Sequence, residues 1–288
     1  MPFFLCFVFL FTPLYSQNQF ILNAGTSHFL GDLGGNFSAG TPSISDLNLA
    51  STRYVVSAAY RIKVSNHFAI RTSGYYARLS ANDKYAKSLT LRNRNLNFFS
   101  PIVGANILGE VHFFVKENIS RLYIFGGLEY FHFDPRTRYN GFTVRLQPLG
   151  TEGQNFIPGK FKYKLTSAAI PFGFGINFLK KTRSYWSFEL SARKSFTDYI
   201  DDVSTQYVDK ALLLASSGQI AVELSDRSLG GIPGFSAPRA IRGKPKYNDN
   251  FFFLQFSYNR FLGGKADKRS NGNRERRLVP GKKDCYPF

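Results

Sequence analysis

Of its 288 residues this chain spends two on cysteine, one on methionine and one on tryptophan. It also carries only 19 acidic residues against 37 basic ones, a formal charge of +18. The cysteines are Cys6, inside the first apolar stretch, and Cys285, so cleavage of a leader leaves one thiol and no intrachain disulfide. Beyond the first residues no window approaches the roughly 18 apolar residues of a spanning helix, which excludes a helical membrane protein. It does not exclude a barrel, whose strands alternate lipid-facing and lumen-facing side chains and give a weak signal one by one. Catalytic and metal signatures are also missing. The chain has no Gly-x-Ser-x-Gly elbow. Its four histidines, His28, His67, His112 and His132, form no pair at ligand spacing. A metal site, a cofactor and an enzyme are therefore not expected, although a triad is defined by geometry rather than order.

What the chain does have is aromatics, 31 Phe and 16 Tyr among them, a composition that leans toward strands. Phe3 to Leu14 is nearly unbroken apolar sequence and ends at Leu14-Tyr15-Ser16, as a cleaved signal peptide over residues 1–16 would. From there to residue 262, period-two alternation marks eight candidate strands. They run over Gln19–Gly31, Arg53–Ile62, Phe68–Leu79, Ile102–Val115, Leu122–Phe133, Leu165–Phe178, Tyr185–Phe196 and Phe251–Phe261. In the sixth, Ala168, Ile170, Phe172, Phe174, Ile176 and Phe178 share one face, and small or polar residues share the other.

A soluble sandwich alternates in the same way, so the connections decide between the two. Lys63–His67, Lys116–Arg121 and Leu179–Ser184 are tight. Asp32–Thr52, Ser80–Pro101, Asp134–Lys164 and Thr197–Asn250 are long, and long and short alternate strictly. That is the pattern of an outer-membrane barrel with short periplasmic turns and long extracellular loops. The expected fold is an all-β, closed, antiparallel eight-stranded transmembrane barrel. Eight strands enclose a lumen that side chains can fill. The inward set Arg61, Arg71, Glu110, His112, Glu129, Glu189 and Arg193 is expected to pair there as an ion-pair plug, because buried charges persist when partnered.

Two further segments carry charge. Thr197–Thr205 holds Asp198, Asp201 and Asp202, but its spacing does not match a twelve-residue calcium loop and no glutamate closes it. It reads as a hydrogen-bonded loop, followed by a short helix within Asp209–Glu223. Residues 263–288 form a basic tail with Lys265, Lys268, Arg269, Arg274, Arg276, Arg277, Lys282 and Lys283, expected to be disordered and periplasmic. Such a tail suits an acidic protein or membrane phosphates. Nucleic acid is a poor match, because the basic residues lie in turns and the tail, not on a recognition helix.

Several stretches together resemble the PorG-like family of outer-membrane barrels associated with the type IX protein secretion system. They are His28-Phe29-Leu30-Gly31-Asp32-Leu33, then Arg92 to Pro101 with Asn95 and Ser100, then Thr197-Asp198-Tyr199-Ile200-Asp201-Asp202-Val203-Ser204 with Tyr207, and Leu224-Ser225-Asp226-Arg227-Ser228. The resemblance spans about Gln19 to Phe261. It implies a non-enzymatic barrel that tethers periplasmic ring proteins of the secretion machine to the outer membrane, with membrane lipid and lipopolysaccharide around it. The alternative is a stand-alone barrel that binds a ligand or partner through its extracellular loops.

Overall fold

The computed structural model describes residues 18–34, 49–116, 119–154, 156–181 and 183–262. The stretch expected to be a leader, 1–16, and the basic tail at 263–288 lie outside them. Eight long strands make the barrel: β1 (Gln19–Leu30), β2 (Arg53–Lys63), β3 (Phe68–Asn82), β4 (Asn97–Lys116), β5 (Ile119–Phe133), β8 (Thr166–Phe178), β9 (Ser184–Ser195) and β10 (Asn250–Phe261). A short hairpin, β6 (Arg136–Tyr139) with β7 (Phe142–Arg145), stands in the connection between β5 and β8. All pairings are antiparallel, and β1 meets β10 along its whole length, so the sheet closes.

The register shows how the strands are staggered. Phe20 faces Tyr60, which faces Thr72, then Ile107, then Leu128. The circuit continues through Ile170, Lys194 and Asn250 and arrives at Leu30, ten residues up the strand on which it began. Such a stagger goes with strands tilted roughly 40° to the barrel axis. The ladders break between β5 and β8 opposite Pro171, which has no N–H to donate, and between β4 and β5 at Phe114, which has a positive φ.

Polarity is the reverse of a water-soluble core. Leu22, Val56, Ile107, Phe172, Trp186 and Phe256 point outward and are exposed, whereas Arg61, Glu110, Glu129, Ser187 and Asn259 point inward and are buried. Toward the loop end the lumen turns apolar, with Val55, Leu79, Ile102, Phe131, Phe133, Phe251 and Phe253 packed together. The short connections gather at the opposite, turn end.

Each strand lies within a few residues of its expected place; β3 and β4 extend further at the loop end. The loops hold more structure than the sequence reading assigned. The β6–β7 hairpin turns on Asn140-Gly141, both at positive φ, as a two-residue hairpin loop requires. The β3–β4 connection contains α1 (Leu89–Arg94). The single helix expected in Asp209–Glu223 is two, α2 (Lys210–Ser217) and α3 (Gln219–Ser225), divided at Gly218. Asp209 caps α2 by accepting from the amides of Ala211 and Leu212.

Candidate functional site

Two networks of buried charge are candidates for a site. The first fills the lumen near the turn end. Arg61 and Arg71 face each other directly across β2 and β3, an arrangement that repels unless something lies between them. Glu110 of β4 does: its carboxylate is 2.6 Å from Arg61 Nε and 2.8 Å from Arg71 Nε, with every partner buried. Arg71 Nη1 also donates to Glu189 at 2.5 Å, and the Tyr123 hydroxyl reaches the same oxygen. Arg61 Nη1 spreads its remaining donors over Gln19, Tyr185 and Asn259. His112 lies 2.9 Å from Glu110 on the turn side.

A second tier sits above. Arg193 Nε donates to Glu129 at 3.1 Å, Tyr75 donates to Glu129 at 2.7 Å, and the Arg193 guanidinium stacks 3.7 Å over the Phe253 ring. Both tyrosines fit because each faces a glycine across its ladder, Tyr75 opposite Gly104 and Tyr123 opposite Gly175. A Cβ on either glycine would fall 2.6 Å or less from the ring atoms. Between the tiers a polar cavity of about 20 Å³, lined by Asn23, Ser57, Asn106 and Glu189 among others, has room for one water. All seven lumen residues singled out in the sequence therefore point inward, and each meets a charged or hydrogen-bonding neighbour.

The second network lies in the cap that the long connections build over the loop end. Arg94 donates to both oxygens of Asp83 and to the carbonyls of Asp32 and Arg242. Glu152 accepts from the amides of Ser204 and Thr205 and from Arg242 Nη1 at 2.9 Å. Asp202 takes hydroxyls from Thr151 and Tyr163, both at 2.6 Å. Asp201 accepts from Leu33 and Val203, Asp32 from Lys244, and Asp249 from Ile200, all backbone amides.

The segments that carry the family resemblance converge here. Asp32, Asp198, Asp201, Asp202 and Ser204 are buried in the cap. Tyr199 stacks on Tyr163 with centroids 4.5 Å apart. Asn95 ends α1 in the left-handed region and donates to the Arg227 carbonyl. Ser100 accepts the amide of Asp134. Arg92 alone stands apart, exposed on α1. The sequence reading missed Asp83, Arg94, Glu152, Tyr163, Arg242 and Asp249. Arg94 lay within a quoted stretch, but nothing local links Glu152 to Arg242. For the hairpin a signal existed: Asn140-Gly141 between alternating residues.

Asp32, Asp198, Asp201 and Asp249 sit close enough to raise one another's proton affinity. Burial pushes the Asp198 carboxyl up to about 8, with the charges of Asp32 and Glu152 adding to the rise. Burial likewise takes Asp32 to about 6 and Asp202 to about 6, and holds Asp201 and Asp249 well above the ordinary carboxylate range. At Asp226 hydrogen bonds from Lys210, Ser236 and Ser228 outweigh burial and hold the group near 2, at about 2. Among the described residues, no group of three His, Cys, Asp or Glu side chains is arranged to hold a metal ion.

No protein-family model matches the chain, and no curated protein does. The PorG-like resemblance thus rests on the residues that carry it. Solved structures similar to this chain include Neisserial surface protein A, at 8% identity and a TM-score of 0.39, covering 86% of this chain and 98% of that one. Ail, the attachment invasion locus protein of Yersinia pestis, solved in complex with the heparin analogue sucrose octasulfate, matches at 8% identity and a TM-score of 0.36, covering 84% and 97%. The outer membrane protein OprG from Pseudomonas aeruginosa matches at 8% identity and 0.35, covering 84% and 95%. The closed eight-strand topology stands on the strand pairing of this chain itself.

Proposed function

We propose that this chain is a non-enzymatic barrel of a bacterial outer membrane, plugged through its lumen, that anchors periplasmic components of the type IX protein secretion machinery. The observation that carries the membrane reading is the inverted polarity: an apolar outer face on a closed sheet leaves no unpaired backbone edge in lipid. Two tiers of mutually satisfied charge, with space for a single water between them, suit a support better than a channel. The secretion role draws on the family-like segments, with the basic tail that holds Lys265, Arg276 and Lys283 as its docking element. Affinity purification of the full chain from solubilised membranes tests it. Recovery together with periplasmic ring proteins is expected; a barrel that comes out alone overturns the anchor role.

One observation favours a second reading, a barrel that engages a partner through its loops. Leu89, Phe142, Leu212, Leu214 and Leu229 are exposed on the cap, where apolar patches mark interaction surfaces. Deleting residues 210–246 separates the two. Loss of function with secretion intact supports the loop reading, and a block in secretion supports the anchor.

A further inference from the structure

The outward face of the barrel, just below the cap, carries a feature that neither network uses. Tyr54 on β2 and Tyr76 on β3 stand beside each other with ring centroids 6.1 Å apart, both exposed. One step toward the loop end on the same face, Arg78 lies with its guanidinium 4.0 Å over the Phe99 ring of β4. Arg136 of β6 pairs with Phe99 in the ladder, so it continues the row. Arg145, opposite Arg136 on β7, and the exposed Arg138 extend it.

The charge along this row is unbalanced. Asp134 is the one carboxylate in it, shared by Arg136 at 2.7 Å and Arg145 at 2.9 Å, and those side chains remain 37% and 51% exposed. Arg78 has no acidic partner among the described residues, and its Nε has no hydrogen-bond acceptor. Four guanidinium groups thus face sideways against one carboxylate.

Height along the barrel says what meets them. From the exposed Phe68 at the turn end to Arg78, β3 covers about 33 Å. At a tilt of roughly 40° that is about 25 Å along the axis, the height of the apolar band of a membrane barrel. The row therefore sits at the border of the apolar band, above a tyrosine girdle and facing the lipid laterally. Planar guanidinium groups pair with phosphate through two parallel hydrogen bonds, and tyrosine hydroxyls supply further donors.

We propose that Arg78, Arg136, Arg138 and Arg145, with Tyr54 and Tyr76 beneath, form a binding site for the phosphate groups of lipopolysaccharide in the outer leaflet. The inference rests on the membrane reading above. The test refolds the full chain into phosphatidylcholine vesicles and scores entry by heat-modifiable mobility on gels. A chain that stays outside the bilayer sinks the membrane reading itself. Purified lipopolysaccharide is then titrated against the solubilised barrel, with retained lipid counted by native mass spectrometry. The Arg78→Gln/Arg138→Gln variant is expected to bind about tenfold more weakly, in keeping with the loss of charge-assisted bonds. Arg121→Gln at the turn end is expected to bind like the parent. Arg138→Gln alone, at an exposed side chain, reports in case the double variant fails to fold. Dephosphorylated lipopolysaccharide is expected not to bind. Equal affinity of parent and variants, or equal binding of the dephosphorylated lipid, overturns the site; phosphatidylglycerol binding as tightly as lipopolysaccharide overturns the choice of lipid.

Discussion

The lumen and the cap both bury charge, but by different means. In the lumen every carboxylate meets a guanidinium: Glu110 meets Arg61 and Arg71, Glu189 meets Arg71, and Glu129 meets Arg193. In the cap, beside the Arg94–Asp83 and Arg242–Glu152 pairs, Asp32, Asp201 and Asp249 lean on backbone amides and crowd one another. A rigid ladder can place two long side chains tip to tip. A folded loop has no such repeating frame, so several of its carboxylates hold the chain by gathering N–H groups. The lumen should thus be strong, and the cap weaker and responsive to pH.

The largest effect is expected at Glu110. Glu110→Gln leaves Arg61 and Arg71 opposed with no anion between them, and losing one partner of a buried network costs about 3–5 kcal/mol. A lower urea midpoint for the refolded barrel would register it; an unchanged midpoint would show that the lumen charges are dispensable. Arg242→Ala should act more locally. It strips Glu152 of its cation and Asp202 of its long-range partner, at about 3 kcal/mol of cap stability. Hydrogen exchange should then rise in residues 198–205 while β1 to β5 stay protected, and equal loss of protection in the strands would contradict the separation of the two regions.

Acidity provides the third comparison. The folded cap holds Asp198 at about 8, far above an ordinary aspartate, so the closed cap binds protons that an opened loop releases. Its contribution is full near pH 4 and is lost as pH rises through 8, with Asp32 and Asp202 adding an earlier loss around 6. Tryptic cleavage within the cap should accelerate from pH 5 to 9, and Asp198→Asn should flatten that rise. A cap equally resistant across the range would refute the crowded-carboxylate account. Smallest of all, Tyr163→Phe removes one hydroxyl from Asp202 and should cost about 1 kcal/mol, seen as a slight increase in exchange at Asp202 and Val203.

The same division governs what could be read from sequence. Parity along a strand assigns Arg61, Arg71, Glu110, Glu129, Glu189 and Arg193 to one face, because a side chain two residues on must point the same way. Strand limits follow too, since an apolar run facing outward ends where the chain turns. The cap obeys no period. Glu152 finds Ser204, Thr205 and Arg242 only after two separate connections fold against each other, so no spacing reveals it. Residues 198–204 showed their acidity in the sequence; among them Asp201 gathers two amides and Asp202 two hydroxyls, a division that no spacing reveals. Which carboxylates would crowd together depends on Asp32 and Asp249, from opposite ends of the barrel sequence, arriving at the same place.

The β1–β10 ladder closes the barrel between the first and last strands of the fold, residue Gln19 against Phe261 and Leu30 against Asn250. Closure therefore waits for β10, the last strand of the described residues. Until β10 exists, β1 presents an unsatisfied row of donors and acceptors, and every earlier strand belongs to a sheet with two open sides. Contacts of such sequence separation form slowly, and open strand edges invite pairing with other chains. A chain short of β10 would thus carry two open strand edges, and pairing β10 with β1 and β9 removes both.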